Sequence, residues 1–138
     1  MLSSSHRLTS PAHFREVVRR GRRSGGPLLV VHLLVPSTDR AQQASAAVLG
    51  LEPRAGFVVS KAVGPAVTRN LVKRRLRHLV RARLSDLPSS SLLVVRALPA
   101  SSTATYAELA HELDRCLAAA RPGAERSTTS DTGVGASL

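Results

Sequence analysis

The residues of this chain whose types and spacing could do chemistry are cations gathered in one stretch. Between Pro53 and Ser85 the sequence contains no Asp or Glu. Most of the basic residues there lie from Lys61 onward: Lys61, Arg69, Lys73, Arg74, Arg75, Arg77, Arg81 and Arg83. Such side chains bind phosphate, and a segment with charge of one sign repels itself unless a polyanion lies against it. The stretch therefore predicts a polyanion-binding surface, with a solvated basic face as the alternative.

An amphipathic helix would position these cations. At about 100° per residue, the apolar side chains of the stretch converge on one line and the polar ones on another. The apolar line contains Val72, Leu76, Leu79 and Val80. The polar line contains Asn70, Arg74, Arg77 and Arg81, with Lys73 at its edge. No acidic residue four positions away balances these cations, which favours a bound polyanion over a solvated face.

The start of this helix is indicated by Pro65 and Thr68, and we predict Thr68 as its N-cap. The N-terminal end of a helix carries partial positive charge and free N–H groups. Arg69 and Asn70 are therefore expected where a phosphate is already favoured.

The composition indicates the same class of partner. The chain has 138 residues, enough for one domain with a modest core. Lys and Arg total 20 against 9 Asp and Glu, a formal net charge of +11. Because Lys61 and Lys73 are the only lysines, the bias is toward Arg, whose planar fork suits phosphate. This favours nucleic acid over anionic lipid, although a GC-rich genome would also favour Arg codons.

Cysteine usage and the apolar runs indicate a cytoplasmic protein. Cys116 is the single cysteine, so no intramolecular disulfide can form, which suits a reducing compartment. The apolar runs are too short to span a bilayer, and no apolar stretch precedes Pro11 as a signal peptide would require. We expect a cytoplasmic chain without a membrane partner.

The other elements are predicted from start signals, stop signals and apolar periodicity. Ser10 as N-cap and Pro11 open a first helix over residues 12–20, in which Phe14, Val17 and Val18 face inward. A basic loop is predicted at 22–27, strands at 27–35, 46–51, 55–61 and 91–98, and a last helix at 105–120. The order α-β-β-β-α-β-α indicates an α+β domain, a two-layer α/β sandwich with a four-stranded sheet. The domain would occupy residues 1–121, and residues 122–138 would form a disordered tail rich in Gly, Ser and Thr.

The segment RNLVKRRLR at residues 69–77, preceded by GFVVSK at 56–61, resembles the signature of the bacterial ribonuclease P protein subunit. The resemblance extends from Arg7 to about Ala120, most of the chain. It implies a small α/β sandwich that assists a catalytic RNA in removing the 5′ leader from precursor tRNA. The implied partners are that catalytic RNA subunit and the precursor tRNA, with no obligate protein partner. The chemistry and the Mg²⁺ would belong to the RNA, so no catalytic residue, metal ligand or cofactor of the protein is expected.

The resemblance also assigns two surfaces. In the family the basic helix faces the catalytic RNA, and a cleft between the first helix and the sheet holds the leader. On this chain the RNA-subunit surface would contain Arg69, Asn70, Lys73, Arg74 and Arg77. The leader cleft would contain Phe14, Val18, His32, Ser60 and Lys61, with Arg7 and Arg15 as further candidates. Two clusters of basic residues, at 7–23 and 69–83, hold 13 of the 20 cations and fit two separate contacts with RNA.

Several positions depart from the family pattern. Leu71 stands where the family has Arg, and Ala62 and Ala66 stand where relatives often carry Lys. Fewer cations therefore surround the turn before the basic helix than the pattern implies. Val18 and His32 stand where relatives often have an aromatic ring. Val18 would replace stacking by apolar contact, whereas an imidazole can still stack on a base.

Three cleft candidates also have purely structural interpretations. Phe14 on the apolar side of a helix could belong to the core. His32 could be a hydrogen-bonded strand residue, and Lys61 could be a solvated cation at a strand end. The sequence leaves these alternatives open.

Other kinds of site have little support. A two-metal nuclease needs clustered carboxylates, but Asp39, Glu52 and Asp86 are scattered. Glu108, Glu112 and Asp114 are predicted to form a solvated face of the last helix, and Cys116 lies on its apolar face and is predicted to be core.

Two other classes of function remain as alternatives. One is a general basic RNA-binding or ribosome-associated protein without a catalytic role. The other is a DNA-binding protein that uses residues 68–84 as a recognition helix. The DNA-binding interpretation is disfavoured because strands, rather than a short turn, separate the first helix from the basic helix.

Overall fold

The computed structural model describes residues 7–8, 10–35 and 52–121. The helices in this part of the chain are α1 (Pro11–Arg20), α2 (Ala66–Arg81) and α3 (Tyr106–Ala120). The strands are β1 (Arg22–Gly25), β2 (Leu29–Leu34), β3 (Arg54–Val58) and β4 (Leu92–Ala97). Short 3₁₀ turns occupy Lys61–Val63, Leu84–Asp86 and Pro99–Ser102. The α+β class and the four-stranded sheet are confirmed. The described elements follow the predicted order α-β-β-β-α-β-α, but with a strand at 22–25 that was predicted as loop.

The strands form one mixed sheet in the order β1-β2-β4-β3. β2 pairs antiparallel with β1 and β4, whereas β3 and β4 are parallel. Neighbouring parallel strands need a crossover connection, and the basic helix α2 supplies it between β3 and β4. The connection fixes α2 against one face of the sheet, so its apolar side must face inward and its cations outward.

The two faces of the sheet carry different cores. Leu29, Val31 and Leu33 of β2 are buried in the larger cluster, which includes the apolar residues of α2 and α3. Val94 of β4 lies in a smaller cluster with Val17 of α1. The sheet with α2 and α3 thus forms the two-layer core, and α1 lies across the opposite face.

Side-chain caps define the starts of α1 and α3. The Ser10 hydroxyl accepts a hydrogen bond from the His13 N–H, as predicted. At the other end of α1, the backbone N–H of Gly21 donates to the Val17 carbonyl. Thr105 and Glu108 form a capping box at the start of α3. The prediction for α2 was wrong, because the helix begins at Ala66 after Pro65 and Thr68 lies within its first turn. The free N–H groups are therefore those of residues 66–68, before Arg69.

Two strand predictions also need correction. Residues 22–25, predicted as loop, form β1 at the edge of the sheet. Polar residues are common on such edges, so the lack of apolar alternation concealed this strand. β3 ends at Val58, and the Ser60 and Lys61 carbonyls accept hydrogen bonds from Val63 and Gly64 in a turn. The predicted strand at 46–51 and the predicted tail at 122–138 lie outside the described residues.

Glu112 was wrongly predicted to lie on a solvated face. It is buried, and its Oε2 accepts hydrogen bonds from the backbone N–H groups of Leu28 at 2.7 Å and Leu29 at 3.3 Å. Arg115 lies 3.2 Å from the other carboxylate oxygen. Glu112 therefore ties α3 to the start of β2. None of the described helices is long and apolar enough to cross a membrane.

Candidate nucleic-acid interface

The amphipathic pattern predicted for α2 is present in the structure. The four residues of its apolar line, Val72, Leu76, Leu79 and Val80, are all buried. Asn70, Arg74 and Arg81 are exposed, and Lys73 and Arg77 are half-buried. The basic side of the helix thus faces solvent, where another molecule can reach it.

The cations of this region fall into two groups, those with a hydrogen-bond or ion-pair partner among the described residues and those without one. The first group contains Arg69, Arg75 and Arg83. Arg69 donates from Nε to the Gly64 carbonyl at 3.1 Å, and Arg75 donates to the Ala104 carbonyl at 3.2 Å. The Arg83 guanidinium forms a two-pronged ion pair with Asp114 of α3, and this hydrogen bond holds the pKa of Asp114 below its usual value.

The other group consists of cations for which the described residues supply no hydrogen-bond or ion-pair partner: Lys73, Arg74, Arg77 and Arg81. Three of them line a concave region of about 900 Å³ between α2 and the start of α3. We call this region the basic hollow; its lining is Val67, Asn70, Leu71, Lys73, Arg74, Arg75, Arg77, His78 and Tyr106. Unpaired cations around a concavity are suited to bind phosphate groups.

The basic hollow gathers four of the five residues assigned to the RNA-subunit surface, namely Asn70, Lys73, Arg74 and Arg77. Arg69 is not among its lining residues. It lies in the first turn of α2, half-buried and bonded to Gly64. Its assignment rests on the family motif, since it does not line the hollow.

His78 and Tyr106 are hollow residues that the sequence reasoning did not identify. The Tyr106 hydroxyl lies 2.6 Å from Nδ1 of His78, and their ring centroids are 5.9 Å apart. The two residues are far apart in sequence, so no local pattern could pair them. The only available signal was composition, because Tyr106 is the single tyrosine of the chain.

A second concavity of about 640 Å³ lies beside α1 on the opposite side of the sheet. Its lining residues are Ala12, Phe14, Arg15, Glu16, Val18, Arg19 and Val58. We call it the α1 cleft. Val18 was predicted to face inward with Val17, but it is 48% exposed in this cleft. The cleft therefore combines apolar contact area with two arginines.

Phe14 both packs in the smaller core and lines the α1 cleft. Its ring lies directly on Gly56 of β3, where an added Cβ would collide with it. The glycine thus allows close approach of the helix to the strand. The structural and the binding interpretations of Phe14 are compatible, because one part of the ring is packed and another part lines the cleft.

His32 does not line the α1 cleft, but it lies on the same side of the sheet. It is 7% exposed, opposite Arg23 on β1 and Val94 on β4, and its Nδ1 has no hydrogen-bond partner among the described residues. Burial, then the nearby Arg23 and Arg96, lower the pKa of this imidazole. The His32 ring is therefore neutral at pH 7.

The remaining candidates lie around these surfaces. Ser60 and Lys61 are exposed just beyond Val58, which is the cleft residue of β3. Arg15 lines the cleft, whereas Arg7 forms a parallel bridge with Ala55 on the side of β3 away from β4. Burial raises the pKa of the Cys116 thiol, which lies in the core as predicted. Within the described ranges, no group of three His, Cys, Asp or Glu residues could hold a metal ion.

The comparison with known families decides the identity of this domain. Residues 2–121 match the family described as Ribonuclease P. The chain belongs to the ribonuclease P protein family. The ribonuclease P protein component of a Nocardioides species is 57% identical over 125 residues, covering 91% of this chain and 97% of the relative. That of Streptomyces griseus is 56% identical over 117 residues, covering 85% and 93%.

Solved ribonuclease P proteins share the fold. The chain is similar to that of Staphylococcus aureus with a TM-score of 0.67 and 22% identity, covering 84% of this chain and 95% of the other. For that of Thermotoga maritima the TM-score is 0.64 and the identity 22%, covering 80% of this chain and 96% of the other.

Family membership confirms the main functional prediction. The chain is an RNA-binding subunit of the ribonucleoprotein ribonuclease P, a tRNA-processing endonuclease, and its partner is the RNA subunit. The comparisons give no support to a general RNA-binding or ribosome-associated protein.

Proposed function

We propose that this subunit holds the RNA subunit on α2 and the 5′ leader of precursor tRNA in the α1 cleft, and so assists removal of the leader. The observation that carries the proposal is the set of unpartnered cations on the outer side of α2 in a member of this family. The charge of a cation without an internal partner is fully available to a phosphate group. On the RNA-subunit side the proposed residues are Arg69, Asn70, Lys73, Arg74 and Arg77.

The leader is proposed to lie along the α1 cleft and the neighbouring sheet surface. Phe14 and Val18 would contact bases, and Ser60 and Lys61 would contact the backbone near the end of β3. Arg15 and Arg19 of the cleft lining add charge that suits a single strand.

His32 is proposed to contact the leader beyond the cleft. Its neutral ring has an unsatisfied Nδ1, and Arg23 and Arg96 carry the charge beside it. Because Nδ1 is buried, only the small exposed part of the imidazole would contact a base.

We assign the bond cleavage to the RNA subunit. The RNA would hold the Mg²⁺ that such hydrolysis uses, and no protein side chain would take part in the chemistry. Support comes from the carboxylates of the described residues, which are scattered or engaged. Glu112 is buried against backbone N–H groups, and Asp114 is paired with Arg83. The protein would lower phosphate repulsion between the two RNAs. A cytoplasmic location is part of the same proposal.

Reconstitution tests the proposal. Purified full-length protein is mixed with the RNA subunit of the same bacterium and a precursor tRNA at low Mg²⁺, and cleavage is followed with and without protein. We expect the protein to raise the cleavage rate, and more so for a precursor with a leader of several nucleotides than for one with a single-nucleotide leader. Equal rates with and without protein would refute the function. Stimulation that ignores leader length would refute the leader assignment alone.

A further inference from the structure

The basic hollow contains apolar surface that phosphate binding does not need. The described residues include four exposed large apolar or aromatic side chains, and three of them line this hollow. They are Val67 at 81% exposed, Leu71 at 38% and Tyr106 at 40%. The fourth, Val18, lies in the α1 cleft. Exposed apolar side chains scattered singly are ordinary, but grouped ones mark a contact site.

Tyr106 is held in place at the wall of the hollow. Its hydroxyl is hydrogen-bonded to His78 of α2, and it occupies the first position of α3, next to the capping box of Thr105 and Glu108. A ring that is already fixed loses little conformational entropy when a ligand packs on it. The only tyrosine of the chain is therefore a preformed aromatic surface beside α2.

The cations of the hollow lie within one helical turn of its apolar residues. Val67, Leu71, Arg74 and His78 follow one another at spacings of four, three and four, which places them along one side of α2. Arg74 thus lies between the apolar end of the hollow and the His78–Tyr106 pair, with Arg77 adjacent. The order along α2 is therefore apolar, cationic, aromatic, which suits two successive nucleotides whose bases flank a phosphate.

We propose that the basic hollow receives an unpaired nucleobase of the RNA subunit. The base stacks on Tyr106 beside His78, Arg74 and Arg77 hold the flanking phosphates, and Leu71 and Val67, on the far side of Arg74, contact the neighbouring nucleotide. This inference rests on the proposed binding of the RNA subunit by α2. It also gives a physical role to Leu71, which replaces a cation of the family pattern by an apolar contact.

Charge complementarity selects RNA over the other possible occupants. The unpartnered Lys73, Arg74 and Arg77 would be buried without compensation by an apolar peptide. A second copy of this chain carries a net charge of +11 and would bring like charges together. A nucleotide satisfies both the aromatic ring and the cations.

Affinity of the full-length protein for the RNA subunit tests the inference. Tyr106→Ala is expected to weaken binding roughly 5- to 150-fold, because one stacked base is lost. The dependence of the affinity on salt should keep its slope, because no phosphate contact is removed. Tyr106→Phe retains the ring and should retain most of the affinity, and Leu71→Ala should weaken binding less than Tyr106→Ala. His111→Ala, an exposed ring on α3 outside the hollow, is the matched control. Thermal unfolding of each variant checks the fold.

The outcomes separate this inference from the function on which it rests. Failure of the wild-type protein to bind the RNA subunit would refute the proposed function. Wild-type binding with an unaffected Tyr106→Ala variant would refute the stacked base alone. Equal losses in Tyr106→Ala and Tyr106→Phe would assign the effect to the hydroxyl and overturn stacking. If Tyr106→Ala instead abolished self-association in sedimentation experiments, the hollow would belong to a second copy.

Discussion

At the residue scale, charge alone does not identify a binding residue in this chain. The basic stretch contains cations with partners and cations without them. Arg83 is neutralised by Asp114, and Arg69 and Arg75 donate to backbone carbonyls, whereas Lys73, Arg74 and Arg77 face the basic hollow. The sequence predicted the cations but not this division, because Asp114 and Ala104 reach their arginine partners from about thirty residues along the chain.

The buried His32 ring makes the free energy of unfolding decrease as pH falls. Its folded-state pKa lies below the ordinary value of 6.5, mainly because of burial and then because of Arg23 and Arg96. The unfolded chain therefore binds the proton more readily, so the stability contributed by the neutral ring is present above pH 6.5 and is lost as pH falls through that value toward the folded pKa.

We predict that His32→Phe removes this part of the pH dependence. The free energy of unfolding, measured in urea between about pH 7.5 and about pH 5.5, should fall more for the wild type than for the variant. A His13→Phe variant serves as the control, because His13 is exposed on α1. Parallel pH curves for wild type and His32→Phe would show that the imidazole is not held neutral by its surroundings.

At the element scale, regular amphipathic segments were predictable and edge segments were not. The apolar line of α2, the Ser10 cap of α1 and the buried face of α3 follow from local periodicity and capping chemistry. β1 was missed because an edge strand buries little and needs no apolar alternation. The start of α2 was misplaced because Thr68 resembles a cap, whereas the chain turns earlier, at Pro65.

Glu112 shows why a charged residue on a helix cannot be assigned to solvent from its own helix alone. It lies on α3 beside exposed residues, yet the β1–β2 connection covers it and donates two backbone N–H groups to its carboxylate. An unpaired buried N–H costs free energy, so the carboxylate stabilises the connection as much as the helix.

We predict that Glu112→Ala lowers the free energy of unfolding by about 1–3 kcal/mol, because the Leu28 and Leu29 N–H groups lose their acceptor. Glu16→Ala is the matched control. Glu16 also pairs with an arginine, but both side chains are well exposed, and such surface pairs contribute less than about 1 kcal/mol. Denaturation in urea measures both variants. Losses of equal size would mean that the buried carboxylate has no special role.

At the scale of the whole molecule, the sheet separates two surfaces. The helices α2 and α3 pack on one face of the sheet through the larger core, and the basic hollow lies on their outer side. The helix α1 and its cleft lie on the opposite face. The sequence predicted two cationic clusters and hence two contacts with RNA. Their placement on opposite sides depends on the crossover between β3 and β4, which no local pattern encodes.

The basic hollow could not be predicted from the sequence either, because no local pattern encodes the packing that forms it. It forms because the start of α3 lies beside the C-terminal half of α2, and long-range packing of the two helices on the sheet sets that distance. The family signature identified four of its lining residues, but Tyr106 and His78 became visible only in the folded chain.

The central claim is that the unpartnered cations of α2 hold the RNA subunit through its phosphates. The most direct test is the affinity of the full-length protein for the RNA subunit as a function of KCl concentration. The triple variant Lys73→Ala, Arg74→Ala, Arg77→Ala should lose about one unit of the log–log salt slope per cation, whereas Arg83→Ala, whose charge Asp114 already engages, should keep the wild-type slope. A triple variant with the wild-type slope, or an Arg83→Ala variant with an equally large loss, would contradict the account.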